Sequence, residues 1–274
     1  MTATVAYPGP EGTHSDAAAS ILAPAGAATV GLPTFTAVVE ATTAAEVELG
    51  VLPIESSLVG PIAETHDLLY RSPLSIVREA TLPIRHCLVG VPGTRVEDVR
   101  LVRSHPAALD QCRTLLARLA VESVPASTTA EAARAVAGQG DPAEAAIASP
   151  HAAETHGLQI IADNVGDHPE AFTRFVAVAP YTLVGHGTGW RTALSFVTDH
   201  RPGALFRALE AFARHEVNLV QLVSRPLPES PFRYRFDVVL DGHVFDPELR
   251  NAFGELRELT RALRLFGSYA AEEK

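Results

Sequence analysis

Cysteine is scarce in this chain: Cys87 and Cys112 are the only two, and they form neither a CxxC pair nor a zinc-ligand spacing. They predict a reduced, cytoplasmic protein rather than one stapled by disulfides. Positive charge is also short. Against 32 Asp and Glu there are 22 Lys and Arg, a formal net charge of −10, which disfavours nucleic acid and anionic membranes as partners. A small anion is not excluded, because a local cluster of N–H donors outweighs a distant net charge. No apolar run approaches membrane-spanning length, and Met1-Thr2-Ala3-Thr4 lacks the basic start of a signal peptide. The glycines make neither G-x-G-x-x-G nor a Walker loop, and the scattered histidines include no HExxH or His-x-His pair, so no metal site is expected. No serine sits in a G-x-S-x-G elbow. What is present is a globular composition, 47% hydrophobic and 20% charged, in a chain long enough for two domains.

The first two-thirds read as strands alternating with helices. Strands are expected at Thr4 to Tyr7, Glu48 to Leu52, Leu74 to Leu82, Arg85 to Val91, Leu101 to Arg103, Ala145 to Ala148 and Thr173 to Val178. Helices are expected from Thr13 to Leu22, Ile62 to Tyr70, Ala107 to Leu119, from Ala132 to Ala137 behind the capping-box pair Thr128 and Glu131, and from His151. Such alternation predicts an α/β fold with a mostly parallel sheet covered on both faces. It places Thr13, Ser15, Ser56, Ser57 and Ser104 near carboxyl ends of strands, where open α/β sheets bind ligands. Pro180 to Gly189, with Gly185, Gly187 and Gly189, suits a linker. Beyond it the order changes to strand 192–198, helix 202–215, strands 217–223 and 232–240, helix 247–260 and strand 263–269. That is the βαββαβ order of a ferredoxin-like unit.

Local chemistry leaves alternatives open at each candidate. The loop Gly9 to Ser15 offers hydroxyls and free N–H groups at a helix start, suited to a carboxylate or phosphate, and is equally an ordinary strand-to-helix turn. Ser56 and Ser57 are donors to a ligand or helix caps. In Ser104-His105-Pro106 the histidine is a possible acid or base, while Ser104 suits a cap and Pro106 a first helical turn. Thr173-Arg174-Phe175 sets a hydroxyl beside a guanidinium where a strand begins. In the last unit, Pro202-Gly203 joins strand to helix with backbone donors exposed, as a ligand contact or a structural turn.

Taken in order, Gly9-Pro10-Glu11-Gly12-Thr13, Pro53-Ile54-Glu55, Ser104-His105-Pro106-Ala107, Ala146-Ile147-Ala148-Ser149 and Thr173-Arg174-Phe175 resemble the prephenate dehydratase family. Pro202-Gly203-Ala204-Leu205, Asn218-Leu219 and Ser224-Arg225-Pro226 resemble the ACT regulatory domain that follows it there. The resemblance implies a catalytic region over 1–182 built as two periplasmic-binding-protein-like lobes, the second about 83–170, with an ACT domain over 190–274. It implies a cofactor-free loss of carbon dioxide and water from prephenate, giving phenylpyruvate for phenylalanine biosynthesis. Thr173 would act on the leaving hydroxyl, and Thr13, Ser15, Ser56, Ser57, Ser104 and Arg174 would contact the dicarboxylate substrate. Gly203, Ala204, Leu205, Asn218, Ser224 and Arg225 would bind L-phenylalanine as feedback effector, in a homodimer or dimer of dimers.

Four positions depart from the family pattern: Ser56 and Ala171 stand where asparagines are usual, His14 where an aromatic residue is usual, and Val223 where glutamate precedes Ser-Arg-Pro. Because serine and alanine cannot both donate and accept as an amide does, substrate choice is the property these departures touch. The same pattern leaves room for an arogenate dehydratase, a non-aromatising prephenate decarboxylase or a non-catalytic amino-acid sensor.

Overall fold

The computed structural model describes residues 3–168, 170–185 and 189–271. Gly187 of the expected linker lies outside them. The chain begins with β1 (Thr4–Pro8), α1 (His14–Leu22), β2 (Ala28–Leu32), α2 (Phe35–Thr43), β3 (Leu49–Ser56), the two-residue β4 (Gly60–Pro61), α3 (Ala63–Arg71) and β5 (Ser75–Pro83). It then builds a separate sheet through β6 (Cys87–Gly90), β7 (Leu101–Ser104), α4 (Pro106–Asp110), α5 (Arg113–Leu119), β8 (Glu122–Pro125), α6 (Thr129–Gln139), β9 (Glu144–Ala148), α7 (Pro150–Thr155) and β10 (Gln159–Ala162). Next, β11 (Phe172–Ala179) re-enters the first sheet between β5 and β3. The two crossings lie side by side, with Ile84 N–H donating to the Ala171 carbonyl at 2.7 Å. Two lobes joined by a two-strand hinge follow from this path.

The last unit is β12 (Trp190–Val197), α8 (Ala204–Arg214), β13 (Leu219–Pro226), β14 (Tyr234–Asp241), α9 (Pro247–Leu259) and β15 (Ala262–Ala270). Its strand order β13-β14-β12-β15 is that of a ferredoxin-like βαββαβ unit, and all six elements fall where the sequence pattern puts them. Both helices cover one face, closing a core of Leu194, Phe196, Phe212, Val238, Leu240 and Leu256. The other face joins the first lobe. Ala193, Val239, Phe266 and Tyr269 share a core with Leu69, Leu74 and Ile76, and β15 runs beside β5 in one continuous sheet. Gly267 permits that approach: at φ +143° a Cβ there would stand 2.3 Å from the Ile76 carbonyl oxygen. Polar ties reinforce it. Arg235, almost wholly buried, reaches Asp67 at 2.8 Å and Asp237 at 3.1 Å, and Arg225 reaches Asp67 at 2.7 Å. His66 meets Asp237 at 3.1 Å, and Arg264 donates to the carbonyls of Tyr70 and Ser72.

Three expectations need correction. The sheets are mixed, not mostly parallel: β2, β1 and β3 are parallel, but β11 runs antiparallel to both β3 and β5, and β6 antiparallel to β9 and β10. The returning strand of a two-lobed chain enters from the far end, which the local pattern does not report. The helix expected from Ala107 to Leu119 is two helices, broken at Gln111 and Cys112. Asp167, more than fifty residues later, accepts from Arg113 N–H at 3.0 Å and Thr114 N–H at 3.2 Å and so starts α5 afresh. Finally, β2, α2, β8 and β10 are additional elements that the sequence reading did not contain.

Candidate active site

A cleft of about 340 Å³ opens between the lobes. His14, Ser56, Leu58 and Thr173 line it from the first lobe, Ile84 and Ala171 from the hinge, and His86, His105, Gln111 and Ser127 to Thr129 from the second lobe. Thr173 and Ser56 are direct partners across the β11–β3 ladder, which sets their side chains next to each other. The Ser56 hydroxyl accepts from the N–H groups of Leu58 (3.3 Å) and Val59 (3.4 Å), turning the chain after β3. Ser57 closes the end of the same ladder: its N–H donates to the Phe172 carbonyl and its hydroxyl accepts from Phe172 N–H, both at 2.9 Å.

The other hydroxyls named from sequence have structural duties outside the lining. Thr13 is the N-cap of α1, accepting from Asp16 N–H at 3.2 Å. Ser104 is fully buried and donates to the Ile147 carbonyl at 2.6 Å, tying β7 to β9. The cap of α4 is His105 instead, whose Nδ1 accepts from Ala107 N–H at 3.2 Å. Ser15 lies in the first turn of α1 and is not part of the lining. Arg174 leaves β11 on the face opposite Thr173, pairing with Glu55 at 2.8 Å and Glu79 at 3.4 Å. A direct substrate contact through Arg174 therefore does not fit this geometry, because successive strand residues point to opposite faces.

Among the described residues, the lining contains no Arg, Lys, Asp or Glu. Its polar groups are hydroxyls, an amide, imidazoles and the N-terminus of the eleven-residue helix α6, which Thr128 caps. His86 bonds Gln111 Oε1 at 2.8 Å through Nε2, leaving Nδ1 without a partner, and its ring stands edge-on to His14 with centroids 6.4 Å apart. Burial, then the neighbouring His86 and His151, push His14 down to about 4, and burial lowers His86 despite its Gln111 bond. Both rings are neutral near pH 7 and serve as hydrogen-bonding groups rather than cations. Such a cleft suits a small anionic ligand held by N–H and O–H donors. Sequence reasoning did not name His86, Gln111 or Ser127, which the fold brings to the cleft from three separate segments. His14 and Thr128 had appeared only as a departure and a cap.

Beside the cleft the lobes touch directly. His151 Nε2 meets Asp16 Oδ2 at 2.9 Å, the same oxygen that accepts from Gly12 N–H at 2.9 Å, and Ser149 donates to the Gly12 carbonyl at 3.2 Å. Burial and the nearby Asp16 carboxylate raise the Tyr7 phenol well above its ordinary value, so it stays protonated.

In the last unit, Gly203 (φ +77°) precedes α8, with Ala204 and Leu205 in its first turn. Ser224 pairs with Phe236, which pairs with Phe196, so it lies at the end of the sheet where the chain leaves β12 for α8. Asn218 lies at the other end, its amide donating to Asp241 at 2.7 Å. Arg225 is engaged by Asp67 of the first lobe. Within one chain the six expected effector residues therefore form two separate groups. Cys87 and Cys112 are buried free thiols, and no described helix is long and apolar enough to cross a membrane.

The Prephenate dehydratase family pattern matches residues 5–182. A chloroplastic arogenate dehydratase/prephenate dehydratase of Arabidopsis thaliana is 36% identical over 280 residues, spanning 97% of this chain and 71% of its own. A bifunctional N-acyl-homoserine lactone acylase/prephenate dehydratase of Komagataeibacter europaeus is 35% identical over 97% of this chain and 95% of its own. The structure of Arthrobacter aurescens prephenate dehydratase in complex with L-Phe superposes with a TM-score of 0.87 at 33% identity, covering 97% of this chain and 90% of that one.

Proposed function

Because the chain belongs to the prephenate dehydratase family, we propose that its interlobe cleft converts prephenate to phenylpyruvate, with loss of carbon dioxide and water, under feedback control by L-phenylalanine. The observation that carries this reading is Thr173 set against Ser56 in a cleft without charged side chains among the described residues. Aromatisation supplies the driving force, so the protein has to hold the substrate's two carboxylates and help the ring hydroxyl depart. A cation clamped on the carboxylate that leaves as carbon dioxide would stabilise the ground state more than the transition state, since that charge moves into the ring. Hydroxyl, amide and imidazole donors hold it more lightly. Thr173 hydrogen-bonds the departing hydroxyl, which leaves as water with a proton drawn from solvent and passed on through the Thr173 hydroxyl; as a free acid threonine is far too weak to act alone. The lyase chemistry needs no cofactor.

Residues 1–182 then form the catalytic region and 190–274 an ACT regulatory unit. The edge position of β13 supports a two-fold homodimer, or a dimer of dimers. A partner laid antiparallel along that edge would bring its Asn218 end to the Gly203 and Ser224 end of the first chain, completing an effector site that one chain leaves divided. We place the protein in the cytoplasm, consistent with its buried free thiols.

Arogenate is the rival substrate, and Ser56 and Ala171 are where the cleft departs from the family's amides. Turnover of both compounds by the purified protein, followed by product mass, separates them. Preference for prephenate is expected; a higher kcat/KM on arogenate would replace prephenate as substrate.

A further inference from the structure

Six consecutive strands of the continuous sheet, in the order β14-β12-β15-β5-β11-β3, each place one polar residue on a line across the strands. They are Asp241, Arg191, Tyr269, Glu79, Arg174 and Glu55. Arg191 is the direct ladder partner of both Asp241 and Tyr269, and Arg174 of Glu55. The side chains are in contact along the line: Arg191 lies 3.9 Å from Asp241 and forms a close ion pair with Glu79. Glu79 in turn meets Arg174 at 3.4 Å, and Arg174 meets Glu55 at 2.8 Å. Glu79 is the centre, with only 3% of its side chain exposed between two guanidinium groups. The buried Tyr269 phenol lies beside it, its proton held in place by burial and by that carboxylate.

The inner end of this line abuts the cleft without entering it. Glu55 precedes Ser56 and Arg174 follows Thr173, while Glu79 and Arg191 do not line the cleft. Between Arg174 and Phe175 the β11–β3 register shifts, leaving Ile54 as an extra residue on β3. A bulge re-aims the side chains beside it and weakens the regular ladder that would otherwise fix them. The Arg174–Glu55 pair sits directly at that irregularity.

We propose that Glu79 and Arg191 are positioning residues for the elimination, holding Arg174 and Glu55 so that Thr173 and Ser56 face the substrate correctly. This rests on the function proposed above. Arg191 and Asp241 belong to the βαββαβ unit, so a displacement of β12 reaches Thr173 through Arg191, Glu79 and Arg174. The buried carboxylate makes the line responsive, because removing one guanidinium takes away one of the two cations that compensate Glu79 in the sheet.

The test uses full-length Arg191→Gln, Arg191→Lys, Arg174→Gln and the double variant Arg174→Gln/Arg191→Gln, with thermal unfolding recorded for each. Arg191→Met replaces the amide if that variant does not fold. On prephenate, well below the unfolding midpoint, Arg191→Gln is expected to lower kcat by about tenfold to a hundredfold with KM within about twofold. Arg191→Lys recovers most of the loss, and the double variant is no slower than Arg174→Gln alone, since both act through one side chain. Parent-like kcat in Arg191→Gln, or losses that multiply in the double variant, overturn the positioning role while leaving the function intact. A parent protein with no turnover of prephenate or arogenate overturns the functional reading and this one with it.

Discussion

Thr173 and Arg174 are consecutive residues of β11 whose side chains leave opposite faces of the sheet. Thr173 enters the interlobe cleft beside Ser56, whereas Arg174 pairs with Glu55 at 2.8 Å on the face turned towards the βαββαβ unit. A single tripeptide thus serves both the proposed chemistry and the joint between the units.

If the Thr173 hydroxyl meets the departing group, its removal costs rate without costing fold. Thr173→Ala is expected to lower kcat by about a hundredfold or more, with an unfolding midpoint close to the parent's, and Thr173→Ser to recover much of it. Steady-state kinetics with thermal melts decides. Parent-like turnover in Thr173→Ala would remove the residue from the mechanism.

Gly267 tests the joint between the units. Its φ of +143° and the 2.3 Å approach to the Ile76 carbonyl oxygen make Gly267→Ala destabilising by about 3 kcal/mol. For a chain of this length that corresponds to a midpoint lowered by roughly 6–12 °C. Gly254, exposed in the middle of α9 with open space where a Cβ would go, is the control. Gly254→Ala should stabilise by about 0.5–1 kcal/mol through helix propensity. Equal melting of the two variants would contradict the close packing of β15 on β5.

Acid should loosen the fold through the cleft histidines. In the folded protein His14 is held near 4, whereas in the unfolded chain it protonates near the ordinary 6.5. Its contribution to stability is therefore complete above about pH 6.5 and is lost as pH falls towards about 4, because over that interval the unfolded chain binds more protons. His86 is shifted the same way and adds with the same sign. The midpoint should drop between about pH 7.5 and about pH 5, and His14→Phe should narrow that drop. An identical drop in parent and variant would show that His14 is not buried as described.

L-Phenylalanine should slow turnover and raise the melting midpoint together. At a hundred times its dissociation constant a ligand that binds only the folded state adds about 2.7 kcal/mol. Ser224→Trp, which fills the end of β13 where the effector is proposed to bind, should abolish both responses while retaining turnover. A flat melting response in the parent would leave the βαββαβ unit without this ligand.

The βαββαβ unit was legible because its helices carry an amphipathic period, as in α8 with Ala208, Ala211 and Phe212 buried on one side, and its strands are apolar runs such as the buried stretch of β12. The missed strands lacked that signal. In β2, Ala28 to Val30 and Gly31 are exposed, so no alternation marks it, and β8 and β10 are four-residue strands at sheet edges. The break at Gln111 depends on Asp167, a partner no local window contains. Within the cleft, Thr173 and Ser56 were named from their segments, while His86 and Gln111 meet only because the second lobe packs the residue before β6 against the end of α4. The orientation of Arg174 was available in principle: alternation along a strand places it opposite Thr173.

One experiment reaches furthest: purified protein is incubated with prephenate at neutral pH, and the product is followed by ultraviolet absorption and mass, with Thr173→Ala in parallel. Phenylpyruvate formed by the parent and nearly absent with the variant is the expected result. A decarboxylated but non-aromatic product, or no consumption of prephenate at all, would contradict an aromatising elimination in this cleft.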